Sequence, residues 1–136
     1  MPGYEPQRFP PNDNDVKAFI HAWFACADHD GDMEWITSHM EEGAFRVNIP
    51  GHPIDSMEGL RRWRRAVKAS IEQEAHDIER ISVSRRGDRL IVADIRGLWK
   101  GLEKGRPFER PMHQVWTIES TEDAPLLIRV ADLLKA

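Results

Sequence analysis

Residues 74–101 read EAHDIERISVSRRGDRLIVADIRGLWKG, and their periodicity decides the fold. Upstream of Gln73, apolar residues recur at helical spacing. Downstream they fall into strand-like runs. Ile78, Ile81 and Val83 mark a strand over 75–84. The Arg86-Gly87-Asp88 turn leads into a longer strand over 89–101, which contains Leu90-Ile91-Val92. Gly105 sits in the next turn. Segment 107–118 alternates around Val115, Trp116 and Ile118, and a last strand covers 126–134. Four strands joined by turns form an antiparallel meander.

Working back from the meander, the chain is helical. Asn12 or Asp13 caps a first helix. Val16, Phe19, Ile20, Trp23, Phe24 and Ala27 give it an apolar stripe, and Gly31 ends it. A short second helix runs over 32–40 and buries Met33, Ile36 and Met40. A strand over 44–49 stops at Pro50-Gly51. Asp55 and Glu58 form a capping-box pattern for a third helix. Its buried stripe is Leu60, Trp63, Val67 and Ile71. Four prolines in residues 1–12 mark an extended arm before a single domain over 13–136. Helices first and a meander last give an α+β domain, with a pocket expected between the two layers.

Composition removes several function classes. The net charge of −4 argues against nucleic acid as a partner. Within Arg61-Arg62-Trp63-Arg64-Arg65, helical spacing buries Trp63 and leaves the arginines on a solvated face. No apolar run is long enough for a membrane span, and the N-terminus lacks a signal-peptide pattern. The single cysteine, Cys26, rules out a disulfide within the chain and reads as a structural thiol in a reducing, cytoplasmic setting. No metal is expected. Asp28-x-Asp30-x-Asp32 opens like a calcium loop, but Gly31 precedes the third aspartate and His39 stands where the bidentate glutamate belongs. The six histidines lack zinc spacing. No glycine-rich nucleotide loop occurs, so no cofactor is expected.

The element order resembles the SnoaL-like, nuclear transport factor 2-like superfamily. The resemblance rests on Ala27-Asp28-His29-Asp30-Gly31-Asp32 after helix one and on Glu74-Ala75-His76-Asp77-Ile78 at the start of the meander. Its third piece is Gly105-Arg106-Pro107-Phe108 leading to Val115-Trp116-Thr117-Ile118. It implies a cone: a curved antiparallel sheet with three helices on its concave face. Ketosteroid isomerase is not matched, because 46–50 holds no carboxylate and Pro111 has no side-chain donor. Scytalone dehydratase is matched at Asp28 and His76, and an asparagine of its pocket falls near His113. The tyrosine before its aspartate is Ala27 here, and its second catalytic histidine falls near Lys100.

These matches imply an acid–base site. Histidine, with an ordinary pKa of about 6.5, can take and return a proton near neutrality. His76 is the expected acid–base, Asp28 its orienter and His113 a polariser or second acid. If the hairpin turns around Gly105, Ile95 pairs with His113, and Gly97, Trp99, Pro111 and Val115 share their face. The resemblance places that face inside, so Trp99, Ile95 and Val115 become substrate contacts. His39 and Asn48 close the other end, and Phe24 joins them. The opposite face would carry Asp94, Met112, Gln114 and Trp116, and would pair two copies into a homodimer. The implied function is a cofactor-independent lyase, isomerase or cyclase acting on a small, hydrophobic, oxygenated ring compound. A non-catalytic cavity protein and a structural oxygenase subunit are the alternatives.

Overall fold

The computed structural model describes residues 9–29 and 33–134. The expected arm over residues 1–8 lies outside them, as do Asp30, Gly31 and Asp32. Helix α1 (Asp13–Asp28) starts at a capping box. Asn12 accepts from the Asp15 N–H, and Asp15 accepts from the Asn12 N–H, each at 2.8 Å. Its stripe is buried as expected, and it ends at Asp28 with His29 as cap. Helix α2 (Met33–Ser38) stops before Met40. The Thr37 and Ser38 hydroxyls donate to the carbonyls of Met33 and Trp35, which competes with further helix. Met40 is buried all the same. Helix α3 (Met57–Ser70) is capped by Ser56, one residue later than expected, whose hydroxyl accepts from the Gly59 N–H.

The strands are β1 (Arg46–Asn48), β2 (Ile71–Arg86), β3 (Leu90–Glu103), β4 (Arg106–Glu119) and β5 (Leu127–Leu134). They form one open sheet in the order β1-β5-β4-β3-β2. The meander is present as expected. However, β1 pairs parallel to β5, so the sheet is mixed and not wholly antiparallel. The reason is the connection through α3, which carries the chain from one edge of the sheet to the other before the meander begins. The three helices cover one face, and the core lies between. Trp116 is its centre, 1% exposed, with Trp23, Phe24 and Phe19 around it at ring distances of 5.1, 5.6 and 6.5 Å.

The β3–β4 register corrects the expected facing of β4. Lys104 and Gly105 both have positive φ, 52° and 76°, as a two-residue hairpin turn requires. Glu103 therefore pairs with Arg106, and odd-numbered residues of β3 oppose even-numbered residues of β4. Ile95 pairs with Gln114, not with His113. Met112, Gln114 and Trp116 face the helices, while Val115 and the His113 ring face outward beside Asp94. The expected facing of β3 holds: Ile95 is buried and Asp94 points away. A one-residue slip reverses every side chain of one strand and leaves its neighbour untouched.

Two bulges twist β2 across β3, at Glu72/Ala75 and at Ile78/Arg80. Gly97 makes the second possible. A Cβ there would lie 2.0 Å from the Asp77 carbonyl oxygen. The chain must therefore move if any side chain is added. Gly97→Ala is expected to destabilise the fold by about 1–3 kcal/mol, read from urea unfolding. An unchanged midpoint would show that the bulge relaxes freely.

Candidate active site

Four elements bring their side chains to one point. The C-terminal turn of α1 presents Asp28. On β2, Glu74 and His76 are two residues apart, so the pleat turns both to the helical side. Strand β3 adds Trp99, and α3 adds Arg64 and Lys68 from above.

Asp28 grips His76 twice. The His76 backbone N–H donates to Asp28 Oδ2 at 2.8 Å, and the ring Nδ1 lies 2.6 Å from Oδ1. A carboxylate only accepts, so Nδ1 carries a proton, and in the neutral ring the lone pair is on Nε2. Both side chains are nearly buried, 9% and 8% exposed. The imidazole packs on Phe24 at 4.8 Å and lies nearly parallel to Trp99 at 6.4 Å. Its tautomer and plane are thus set from two directions, and Nε2 bonds no side chain among the described residues.

Behind this pair sits a buried ion pair that sequence periodicity misses. Arg64 donates to Glu74 Oε1 at 2.9 Å and to the Ala27 carbonyl at 3.1 Å. Lys68 approaches the same oxygen at 3.3 Å and donates to the Asp28 carbonyl at 2.7 Å. Trp99 Nε1 donates to Glu74 Oε2 at 2.8 Å. Burial alone would push the Glu74 carboxyl up. The charge and hydrogen bond of Arg64, the Trp99 N–H and the charge of His76 outweigh it and hold that carboxyl below its ordinary 4.5. The arginines of α3 are therefore not all solvated: Arg64 is 7% exposed, while Trp63 and Val67 are half-buried over a cavity. Leu60 and Arg64, one turn apart, form the inward face of α3. The signal for Glu74 was its place two residues before His76.

That cavity has a volume of about 250 Å³. His76, Trp99, Trp63, Met112 and Gln114 border it. A chamber of about 30 Å³ continues inward to Phe24, Trp23 and Trp116. Gln114 borders both. Its Oε1 accepts from Trp116 Nε1 at 2.9 Å, and an indole N–H can only donate, so the Gln114 amide nitrogen is turned to the other side. Trp23 Nε1 is buried with no partner among the described residues.

The other expected contacts are spread through the fold. The His113 ring bonds Asp94 at 3.2 Å on the outer face, although the residue also borders the cavity rim. Slight burial would raise the Asp94 carboxyl, but hydrogen bonds from His113 and Arg96 hold it below its ordinary value. Val115 faces outward with it. Ile95 is fully buried in the core. His39 is a core histidine: Nδ1 bonds the Leu126 carbonyl at 2.8 Å, and the ring packs on Phe19 and Trp35. Asn48 is tied to Asp132 and Arg46 at the sheet edge. Of the nine expected site residues, the structure brings Asp28, His76, Trp99 and Phe24 together.

Asp28, Glu74 and His76 also place ligand atoms within 4.8 Å of one another, the spacing a metal ion needs. The donor set does not fit one. Both Asp28 oxygens accept from His76, and both Glu74 oxygens are held by Arg64, Lys68 and Trp99. A cation there would face two fixed cations.

No protein-family model matches the sequence, and no curated protein matches it. Solved structures do. The chain superposes on a candidate aromatic ring hydroxylase from Novosphingobium aromaticivorans with a TM-score of 0.75, at 15% identity over 87% of this chain and 84% of that one. Aln2 from a Streptomyces species gives 0.74 at 14% identity, over 92% and 93%. An NTF2-like protein with a cystatin-like fold from Novosphingobium aromaticivorans gives 0.67 at 17%, over 84% and 75%. The chain has this NTF2-like, cystatin-like fold. No described helix is long and apolar enough to cross a membrane.

Breaking the ion pair tests the site's foundation. Glu74→Gln leaves Arg64 buried without its counter-charge and should cost about 3–5 kcal/mol at neutral pH. Because folding depresses the Glu74 pKa, its contribution is full above 4.5 and is lost as pH falls through the lower, folded value. The gap between wild type and variant in urea melts should therefore narrow as pH drops below about 4.5. A gap that stays constant to low pH would disprove the charge origin.

Proposed function

We propose that this NTF2-like cone is a cofactor-independent acid–base enzyme of the lyase, isomerase or cyclase type. Its substrate is a small, hydrophobic, oxygenated ring compound. The observation that carries the reading is the Asp28–His76 pair, whose Nε2 has no side-chain partner among the described residues and whose His76 borders a cavity walled by Trp63, Trp99 and Met112. A cavity of about 250 Å³ is below the range of drug-sized pockets, roughly 300–1,000 Å³, which suits one or two rings.

In this reading His76 Nε2 removes a proton from the carbon beside a substrate carbonyl. The imidazolium so formed keeps its Nδ1–H on the Asp28 carboxylate, which stabilises it. The electron pair moves onto the carbonyl oxygen. The Gln114 amide is the donor we assign to that oxygen, the role expected of His113. Nε2–H then protonates a departing hydroxyl, which leaves as water, or a second carbon, which gives the isomer. The single cysteine, Cys26, is buried and has no second cysteine in the sequence to pair with, which supports a cytoplasmic setting.

Proton abstraction can be read without knowing the product. Wild type is incubated in deuterium oxide with a panel of cyclic β-hydroxy ketones, and mass spectrometry follows label at the α carbon and loss of water. His76→Ala should lower the rate on any responding ketone by about 100-fold or more. Asp28→Asn should keep the fold and lower the rate less. If no ketone exchanges faster with wild type than with His76→Ala, the enzyme reading fails and ligand binding takes its place.

We also infer a homodimer through the outer sheet face. The Met112–Trp116 surface is not available for it, being in the core. Val92, Leu98, Val115 and Val130 take that role, half-buried and flanked by Asp94, Arg96 and His113. Light scattering at micromolar concentration should give twice the chain mass. A mass of 15.7 kDa would overturn the inference.

A further inference from the structure

A second concavity lies on the other side of Arg64. It runs between α3 and the α1–α2 layer, has a volume of about 360 Å³, and excludes both Asp28 and His76. Its floor is apolar, made by Ala27, Met33 and Ile36. Its rim is cationic. Arg61, Arg64, Arg65 and Lys68 fall on one face of α3, three, four and seven residues apart, and all four border the groove.

These four cations divide into two kinds. Arg64 and Lys68 are committed to Glu74 and to the carbonyls of Ala27 and Asp28. Arg61 and Arg65 are exposed, and neither has a hydrogen bond or an ion pair among the described residues. Arg62, which points elsewhere, is matched by Glu58 at 2.8 Å. Like charges four residues apart disfavour a helix. Among the described residues this arginine pair over an apolar floor has no carboxylate partner. A ligand carboxylate would supply the missing charge, since guanidinium groups take carboxylates through paired hydrogen bonds.

We propose that this groove binds a small amphipathic carboxylate. The carboxylate lies between Arg61 and Arg65, and the apolar body lies along Met33, Ile36 and Ala27. The site is separate from the His76 cavity, with Arg64 as the shared wall, and it does not depend on the chemistry assigned to His76.

Decanoate, decanol, acetate and inorganic phosphate are the probes, titrated into the full chain by calorimetry. Decanoate should bind at least tenfold more tightly than decanol, acetate or phosphate. The double variant Arg61→Gln/Arg65→Gln should lose at least tenfold for decanoate and nothing for decanol, with an unchanged circular dichroism spectrum. Methyl resonances of Met33 and Ile36 should shift on binding, and His76→Ala should bind as wild type does. Equal binding of decanoate and decanol would overturn the proposal, as would an unaffected double variant. Phosphate binding as tight as decanoate would reduce the groove to a general anion patch and refute the carboxylate assignment. Shifts centred on Val67 and Leu133 would assign the ligand to the His76 cavity and refute the second site.

Discussion

A carboxylate taken out of water must find its charge balanced nearby, and Glu74 finds it in Arg64 and Lys68. That requirement organises this end of the molecule. Helix α3 fully buries only Leu60 and Arg64, with Met57 and Trp63 partly buried against the core. The ion pair adds to that packing, and the same two cations bond the last carbonyls of α1. One buried anion thereby ties α3 to α1, to β2 and, through Trp99, to β3. Asp28 and His76 stand on two of those elements. The network behind them bonds both of those elements, and their own two hydrogen bonds close the pair.

The backbone contributes a second constraint. Strand β2 needs two bulges to bend across β3, and Gly97 is where the two chains come closest. The bend opens the space beside His76, Trp99 and Met112 that becomes a cavity. Strand β4 then decides which of its side chains reach it. Because the Lys104–Gly105 turn has two residues, Gln114 enters and His113 leaves. A neutral amide stands on the inner wall where the histidine ring was expected. His113 instead joins Asp94 and Arg96 in a polar cluster outside.

Arg64 borders the cavity, its inner chamber and the α3 groove alike. The groove and the cavity are thus separated by one side chain, which the Glu74 carboxylate holds in place. The α3 helix serves two surfaces with different chemistry. Trp63 and Val67 give the cavity an apolar roof, and Arg61 and Arg65 give the groove a cationic edge.

By itself the sequence determined the element types, because local period and turn chemistry are properties of neighbouring residues. The stripe from Val16 to Ala27, the break at Gln73 and the glycines at 87 and 105 needed nothing distant to be read. Asp28 and His76 were also legible, through their resemblance to a known pair at matching places in the element order. What the tertiary structure alone decided was facing and charge pairing. The side of β4 that meets the helices turned on one residue of hairpin length, which hydrophobic alternation around Val115 and Trp116 did not distinguish. Arg64 looked like one more solvated arginine, because its partner lies on another element. Whether a charge is buried depends on what the fold brings against it, and no local pattern carries that information.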